Sequence, residues 1–232
     1  MKNDSLLPCR ELSDVLRPAY NPCHGFESIC TSMRWIPANG HVPRGFCGAL
    51  GQLDNVELVL IVAEPGDPHS GESYSADSPD EWLAAVSKRV YECFEKGTDL
   101  YHRNIREILN KCWDGLPFAE QMRRTWITES VLCSAQRECG SVPAKISRHC
   151  VDAYLRKQLS MLSHATLSHA TIATLGRKAK NRTVRLECAL GQKFINAFAA
   201  APPGCYRREA KPSWDRIAVE VRRRSKPDGA PS

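Results

Sequence analysis

Apolar positions along this chain change their spacing in a way that separates strands from helices. Residues 58–63 (LVLIVA), with Val56 just before them, form a nearly unbroken apolar run, which predicts a strand covered on both faces. Glu64, Pro65 and Gly66 follow at once, so the strand ends in a carboxylate on a turn. From Ser78 the pattern becomes helical. Ser78 supplies a cap, Pro79 fits the first turn, Asp80 and Glu81 suit the positive end of the helix dipole, and Gly97 stops the helix. Further helices are predicted over 100–112 and from Pro117, and a strand over 125–131, where β-branched and aromatic residues gather. Pro143 opens another helix, with Ile146, Cys150, Ala153, Tyr154 and Leu162 at roughly helical spacing. A strand TIATLG over 171–176, a basic stretch of helical or mixed character, and a last helix over 213–224 complete the pattern. Helices alternating with strands predict an α/β fold with a largely parallel sheet. Chemistry in such folds gathers on loops at the carboxyl ends of the strands, which singles out Glu64, although a solvated glutamate at a strand end is the plain alternative.

The remaining segments read as connections. Residues 1–50 are rich in Pro, Cys and Gly and suggest a Cys-rich arm packed on a domain spanning 51–224, while 225–232 suggests a disordered tail. LSHAT occurs twice in tandem, at 162–166 and 167–171, as a local insertion at a helix end and not as a repeat architecture. Pro202, Pro203 and Gly204 force a loop.

A chain of 232 residues, 42% hydrophobic, can bury one sizeable core. No run approaches the roughly 18 apolar residues of a membrane-spanning helix, and the start MKNDSLLPCRELSD lacks a signal-peptide core, so the expected setting is cytoplasmic with no membrane partner. Eleven cysteines without an export signal suggest reduced thiols, some of them metal ligands. The net charge of +6 is segregated: residues 177–226 hold 14 Lys and Arg against 4 Asp and Glu. A basic face of that kind attracts a polyanion, although charge runs are commonly only solvated surface.

Taken together, four segments resemble the uracil-DNA glycosylase superfamily, in particular its iron-sulfur-containing branches, families four and five. VPRGFCG followed by LVLIVAEPG is similar to the family's entry strand and first catalytic motif. TWITESVLC is similar to the strand ending in Thr-Asn and a ligand cysteine, CVDAYLRKQLSML to the helix beginning at the next ligand cysteine, and TIATLGRKA to the strand ending in Leu-Gly. The likeness runs from about residue 20 to 222. It implies a three-layer α/β/α fold with a central, mostly parallel four-stranded sheet, DNA as partner, no nucleotide cofactor, and a monomer. It also implies a 4Fe-4S cluster held by four thiolates. Cys133 and Cys150, enclosing 16 residues, match the second ligand pair, and Cys23 and Cys30, enclosing six, take the place of the first. Cys47, Cys139 or Cys9 are substitutes for that first pair. Zinc is the alternative metal, and buried reduced thiols are the alternative to any metal.

Hydrolysis of an N-glycosidic bond develops positive charge on the sugar and negative charge on the departing base, so it needs a group to place water and a donor for the base. The resemblance puts Glu64 where the family carries Asp or Asn, one methylene longer, with His69 as a helper and Pro65, Gly66 and Asp67 facing the base. Glu129 stands where an Asn reads the flipped base. Ionised glutamate only accepts hydrogen bonds, which suits the exocyclic amine of cytosine and repels uracil O4. The expected substrate is therefore a modified cytosine, such as a substituted hydroxymethylcytosine of phage DNA, with a role in antiviral defence. The family's downstream His-Pro motif corresponds to residues 201–204 here, which contain no histidine. Arg177, Lys178, Arg207 and Arg208 are the expected DNA contacts, offsetting the few kcal/mol of base extrusion. The alternatives are an ordinary uracil-DNA glycosylase of base excision repair, a DNA-binding protein that has lost the reaction, and a zinc protein unrelated to nucleic acid.

Overall fold

The computed structural model describes residues 6–137, 140–166 and 170–225, the side chains of 163–166 excepted. Cys139, most of the second LSHAT copy and the tail from residue 226 therefore lie outside the described residues. In chain order the elements are α1 (Arg10–Leu16), β1 (Cys47–Gly48), β2 (Leu58–Val62), α2 (Pro79–Lys96), α3 (Leu100–Cys112), α4 (Phe118–Arg123), β3 (Thr125–Glu129), α5 (Ala144–Cys150), α6 (Arg156–Thr166), β4 (Thr171–Leu175), α7 (Arg177–Leu190), β5 (Ile195–Ala197) and α8 (Ala210–Arg224). A π-helical turn, Val151–Leu155, joins α5 to α6.

The sheet has five strands in the order β1-β3-β2-β4-β5, not the four expected. β2 runs parallel to both β3 and β4, β4 parallel to β5, and β1 pairs antiparallel with β3. The edge strands β1 and β5 are two and three residues long, too short to show a period; only their ladder partners make them strands. Leu58, Val59, Leu60 and Ile61 have no exposed surface. Successive strand side chains point to opposite faces, so a strand buried at every position is covered on both, as an α/β sheet requires. α7 contacts β2 and β4, α8 contacts β4 and β5, and α2 contacts β1.

Local chemistry accounts for the helix ends. Ser78 Oγ accepts the Glu81 amide at 3.3 Å at the start of α2, and Gly97 closes it at φ 61°. Asp99 caps α3, accepting the His102 amide at 2.9 Å. α8 begins three residues before the expected Ser213, because that hydroxyl does not cap: it donates to Ala210 O at 2.6 Å and accepts from the Phe198 amide at 3.0 Å. The arm joins the core, since Leu12, Leu16, Val42 and Phe46 lose all exposed surface and β1 joins the sheet. Among the described residues no helix is long and apolar enough to cross a membrane.

From β2 the chain passes to β3 on one side, then crosses back to β4 on the other. That reversal opens a crevice at the carboxyl ends of the parallel strands.

Candidate functional site

A cavity of about 460 Å³ fills this crevice. Glu64 after β2, Glu129 at the end of β3, Leu175 at the end of β4 and Ala199 to Pro202 after β5 all line it, with Phe94 and Tyr101 from the helices opposite. The two glutamates singled out from the sequence thus share one chamber. The parallel register accounts for this: Val62 pairs with Glu129, placing Glu129 level with the strand end that leads into Glu64.

Glu64 is held by two cations from α7. Its side chain is 7% exposed, Lys178 Nζ donates to Oε1, and Arg182 lies 2.6 Å from Oε2. Arg182 also donates to Ala63 O at 2.8 Å and to Ser130 Oγ at 3.1 Å, tying the ends of β2 and β3 together. Lys178 donates in addition to Gly140 O at 2.7 Å. Lys178, expected to contact DNA, is thus also a partner of the expected catalytic carboxylate.

Glu129 is buried, and its Oε2 has no hydrogen-bond partner. Burial pushes its pKa well above the ordinary carboxylate range; the charge of Glu64 adds to that, and Arg182 and Arg44 pull the other way. The direction of that shift runs against the ionised Glu129 expected from the sequence. A neutral carboxyl offers one donor and one acceptor edge, so it pairs with cytosine's N3 and amine or, with the proton on the other oxygen, with uracil's imide and carbonyl. Gly45 explains how the group fits. At φ +88° it has no side chain beneath Glu129, and an added Cβ would stand 2.5 Å from Glu129 Cγ. The Tyr101 hydroxyl in the same cavity is also buried without a partner.

The loop after Glu64 is pinned from the arm. Arg44 donates to Gly66 O and to Ser134 Oγ, and Arg34 reaches Asp67 at 3.2 Å. Gly66 O accepts a further bond from Ser134 Oγ at 3.0 Å. Pro65, Gly66 and Asp67 line the cavity as expected of base-facing residues. His69 lines it too, but its Nε2 lies 3.5 Å from Asp99 Oδ2 at the start of α3, not beside Glu64. Arg177, Arg207 and Arg208 are exposed, and Tyr206, next to the latter pair, is 72% exposed. Sequence reasoning did not single out Tyr206, Tyr101, Arg44 or Arg182. A lone aromatic beside two arginines at 206–208 was the one visible signal among these.

The four proposed ligand cysteines also converge. Cys23, Cys30, Cys133 and Cys150 line one small pocket between the arm, the loop after β3 and α5, together with His149 and Tyr154. Cys9 and Cys47, the described substitutes, do not line it. A hydrogen bond from Cys30 lowers the Cys23 thiol, helped by Gly25, Tyr154 and His149 against burial. Burial pushes Cys133 well up and Cys150 to about 12. Such thiols ionise readily only when a cation compensates. His149 Nε2 is buried and unpartnered and presses on Gly25, and the π-helical turn begins directly after Cys150. Extra turns of that kind recur at functional sites. Four thiols on one pocket are donors of the type that bind metals in principle.

No protein-family model matches the chain, and no curated protein matches its sequence.

Proposed function

We propose that this chain is a DNA glycosylase of the layered uracil-DNA glycosylase type, hydrolysing the N-glycosidic bond of a base extruded from DNA into the crevice. The observation that carries this reading is the meeting of Glu64 and Glu129 in one cavity at the carboxyl ends of the central strands. The base would sit with its Watson-Crick edge on the neutral carboxyl of Glu129 and the hydroxyl of Tyr101, the two polar groups there that lack partners. Glu64 would place the attacking water and stabilise the cationic sugar.

Glu64 enters that role from a double ion pair. Phosphates of bound DNA compete for Lys178 and Arg182, so substrate binding would loosen the clamp on the carboxylate that the reaction uses. Arg177, Arg207 and Arg208 would hold the backbone, with exposed Tyr206 available to stack where the base has left. The cavity, about 460 Å³, leaves space beyond a pyrimidine for a 5-substituent. That favours a pyrimidine with a bulky 5-substituent over plain uracil; a hypermodified cytosine of phage DNA, excised in a defence role, is the proposed substrate of that kind.

Cys23, Cys30, Cys133 and Cys150 would hold a 4Fe-4S cluster that staples the arm to the loop after β3.

The test offers duplex and single-stranded oligonucleotides carrying uracil, cytosine, hydroxymethylcytosine or glucosylated hydroxymethylcytosine and measures abasic sites. Release of the modified cytosine alone supports the full reading, and release of uracil alone returns the chain to ordinary repair. A second reading, a DNA-binding protein without the reaction, is favoured by the cations that occupy Glu64. It predicts salt-dependent binding and no abasic sites on any substrate.

A further inference from the structure

The loop after β2 and the first turn of α3 bring three metal-binding side chains together in the cavity wall, apart from the pocket of Cys23, Cys30, Cys133 and Cys150. We propose that His69, Asp99 and His102 form a site for one divalent first-row transition ion of the zinc class. His69 Nε2 lies 3.5 Å from Asp99 Oδ2, His102 Nδ1 lies 2.8 Å from Asp99 Oδ1, and the three ligand atoms all lie within 4.8 Å of one another. Zinc-nitrogen and zinc-oxygen bonds of about 2.0–2.2 Å place tetrahedral ligands roughly 3.3 Å apart, so the ligand pairs need to close by no more than about 1.5 Å on an ion.

Their supports are already fixed. Asp99 is anchored as the helix cap by the His102 amide at 2.9 Å. The His102 ring sits edge-on to Phe94, with centroids 4.7 Å apart, and the His69 amide donates to Glu72 Oε2 at 3.0 Å. Two imidazoles and one carboxylate make a borderline donor set that suits zinc, nickel or cobalt better than calcium or magnesium. Three protein ligands leave a coordination position open, as in zinc sites that bind water or a ligand oxygen. All three side chains line the 460 Å³ cavity, so the ion would add positive charge to a chamber that also holds Glu64, Asp67 and Glu72. It would also fix the distance between the loop that follows Glu64 and the helix that carries Tyr101. The site stands whether or not the chain excises bases.

The full-length protein, kept reduced, is dialysed against Zn²⁺ or Co²⁺, its metal content is counted, and visible spectra are recorded for wild type, His69→Ala, His102→Gln and Asp99→Asn. Wild type is expected to hold one ion more than each variant. In the Co²⁺ form the variants lose the weak d–d bands of nitrogen and oxygen ligation, while any sulfur-to-cobalt charge transfer from the cysteine pocket persists. The fall in affinity should exceed the roughly 10–100-fold typical of an outer-shell change. Asp99→Asn keeps the cap oxygen and His69 lies on a loop, so unaltered circular dichroism separates ligand loss from unfolding. Equal stoichiometry and affinity in wild type and the folded variants overturns the proposal.

Discussion

The carboxylate cavity and the cysteine pocket lie on either side of the loop after β3, yet they are built on opposite principles. The cavity is open, lined by the ends of four strands, and contains polar atoms with no partner in Glu129 and Tyr101. The cysteine pocket is closed around sulfur and apolar side chains, among them Phe26, Met33 and Trp35. Buried polar atoms without partners in the wall of an open chamber suit a ligand that comes and goes, whereas clustered thiols, two of them buried and two half-buried, suit a permanent occupant. Under the proposed function, the difference would separate a place for substrate from a place for a structural centre.

The largest effect is expected at Glu64. Glu64→Gln should lower abasic-site formation by about 10²–10⁴-fold, the usual range for a lost acid-base group, while leaving DNA affinity within a small factor. A gel-based cleavage assay beside a binding titration reads both, and a parallel loss of binding would reduce Glu64 to a structural ion-pair partner. Next in size is Arg44, which lies 3.9 Å from Glu72 with both side chains nearly buried. Arg44→Met leaves that carboxylate uncompensated and should cost about 3–5 kcal/mol in urea denaturation.

Cys150→Ala sharpens the other side of the contrast. A thiol that merely fills space would cost about 1 kcal/mol, near the value of a single buried methylene, whereas a metal ligand should cost several and abolish any visible absorption of the purified protein. Calorimetry and a spectrum decide between them.

The smallest expected effect depends on pH. Unfolded glutamate titrates near 4.3, and burial raises the folded value of Glu129, so the native state holds a proton that the unfolded state has lost. This contribution is therefore intact below about pH 4.3 and declines as pH rises toward the folded value. Glu129→Gln keeps the shape without the titration. Its stability relative to wild type should grow between pH 5 and pH 8, and a constant difference would mean that Glu129 is ionised after all.

Much of the fold was legible because its signals are local. The run at 58–62 and the caps Ser78, Pro79 and Gly97 place β2 and α2 without any tertiary knowledge. β5 was not legible, and β1 only through the family resemblance of VPRGFCG, because Ile195–Ala197 and Cys47–Gly48 are strands only by virtue of their neighbours. At the site, the chain positions of Glu64 and Glu129 were visible, but their surroundings were not. The ion pairs on Glu64 come from residues more than a hundred positions away, and the burial that raises the Glu129 pKa leaves room for its side chain only because Gly45 lies beneath it. The Asp99–His102 pair has the ordinary spacing of a helix cap, so nothing in the sequence marks it as reaching toward His69.

Arg44 and the segment from Val131 to Ser134 form a single partition between the two compartments: Leu132 and Cys133 face the sulfurs, while Ser134 and the Arg44 guanidinium hold the peptide at Gly66 on the other side. A partition one loop thick cannot swell on one side and stay put on the other. Oxidative damage to the sulfurs should therefore show first as blurred ligand choice, in protein whose far-ultraviolet spectrum still looks intact.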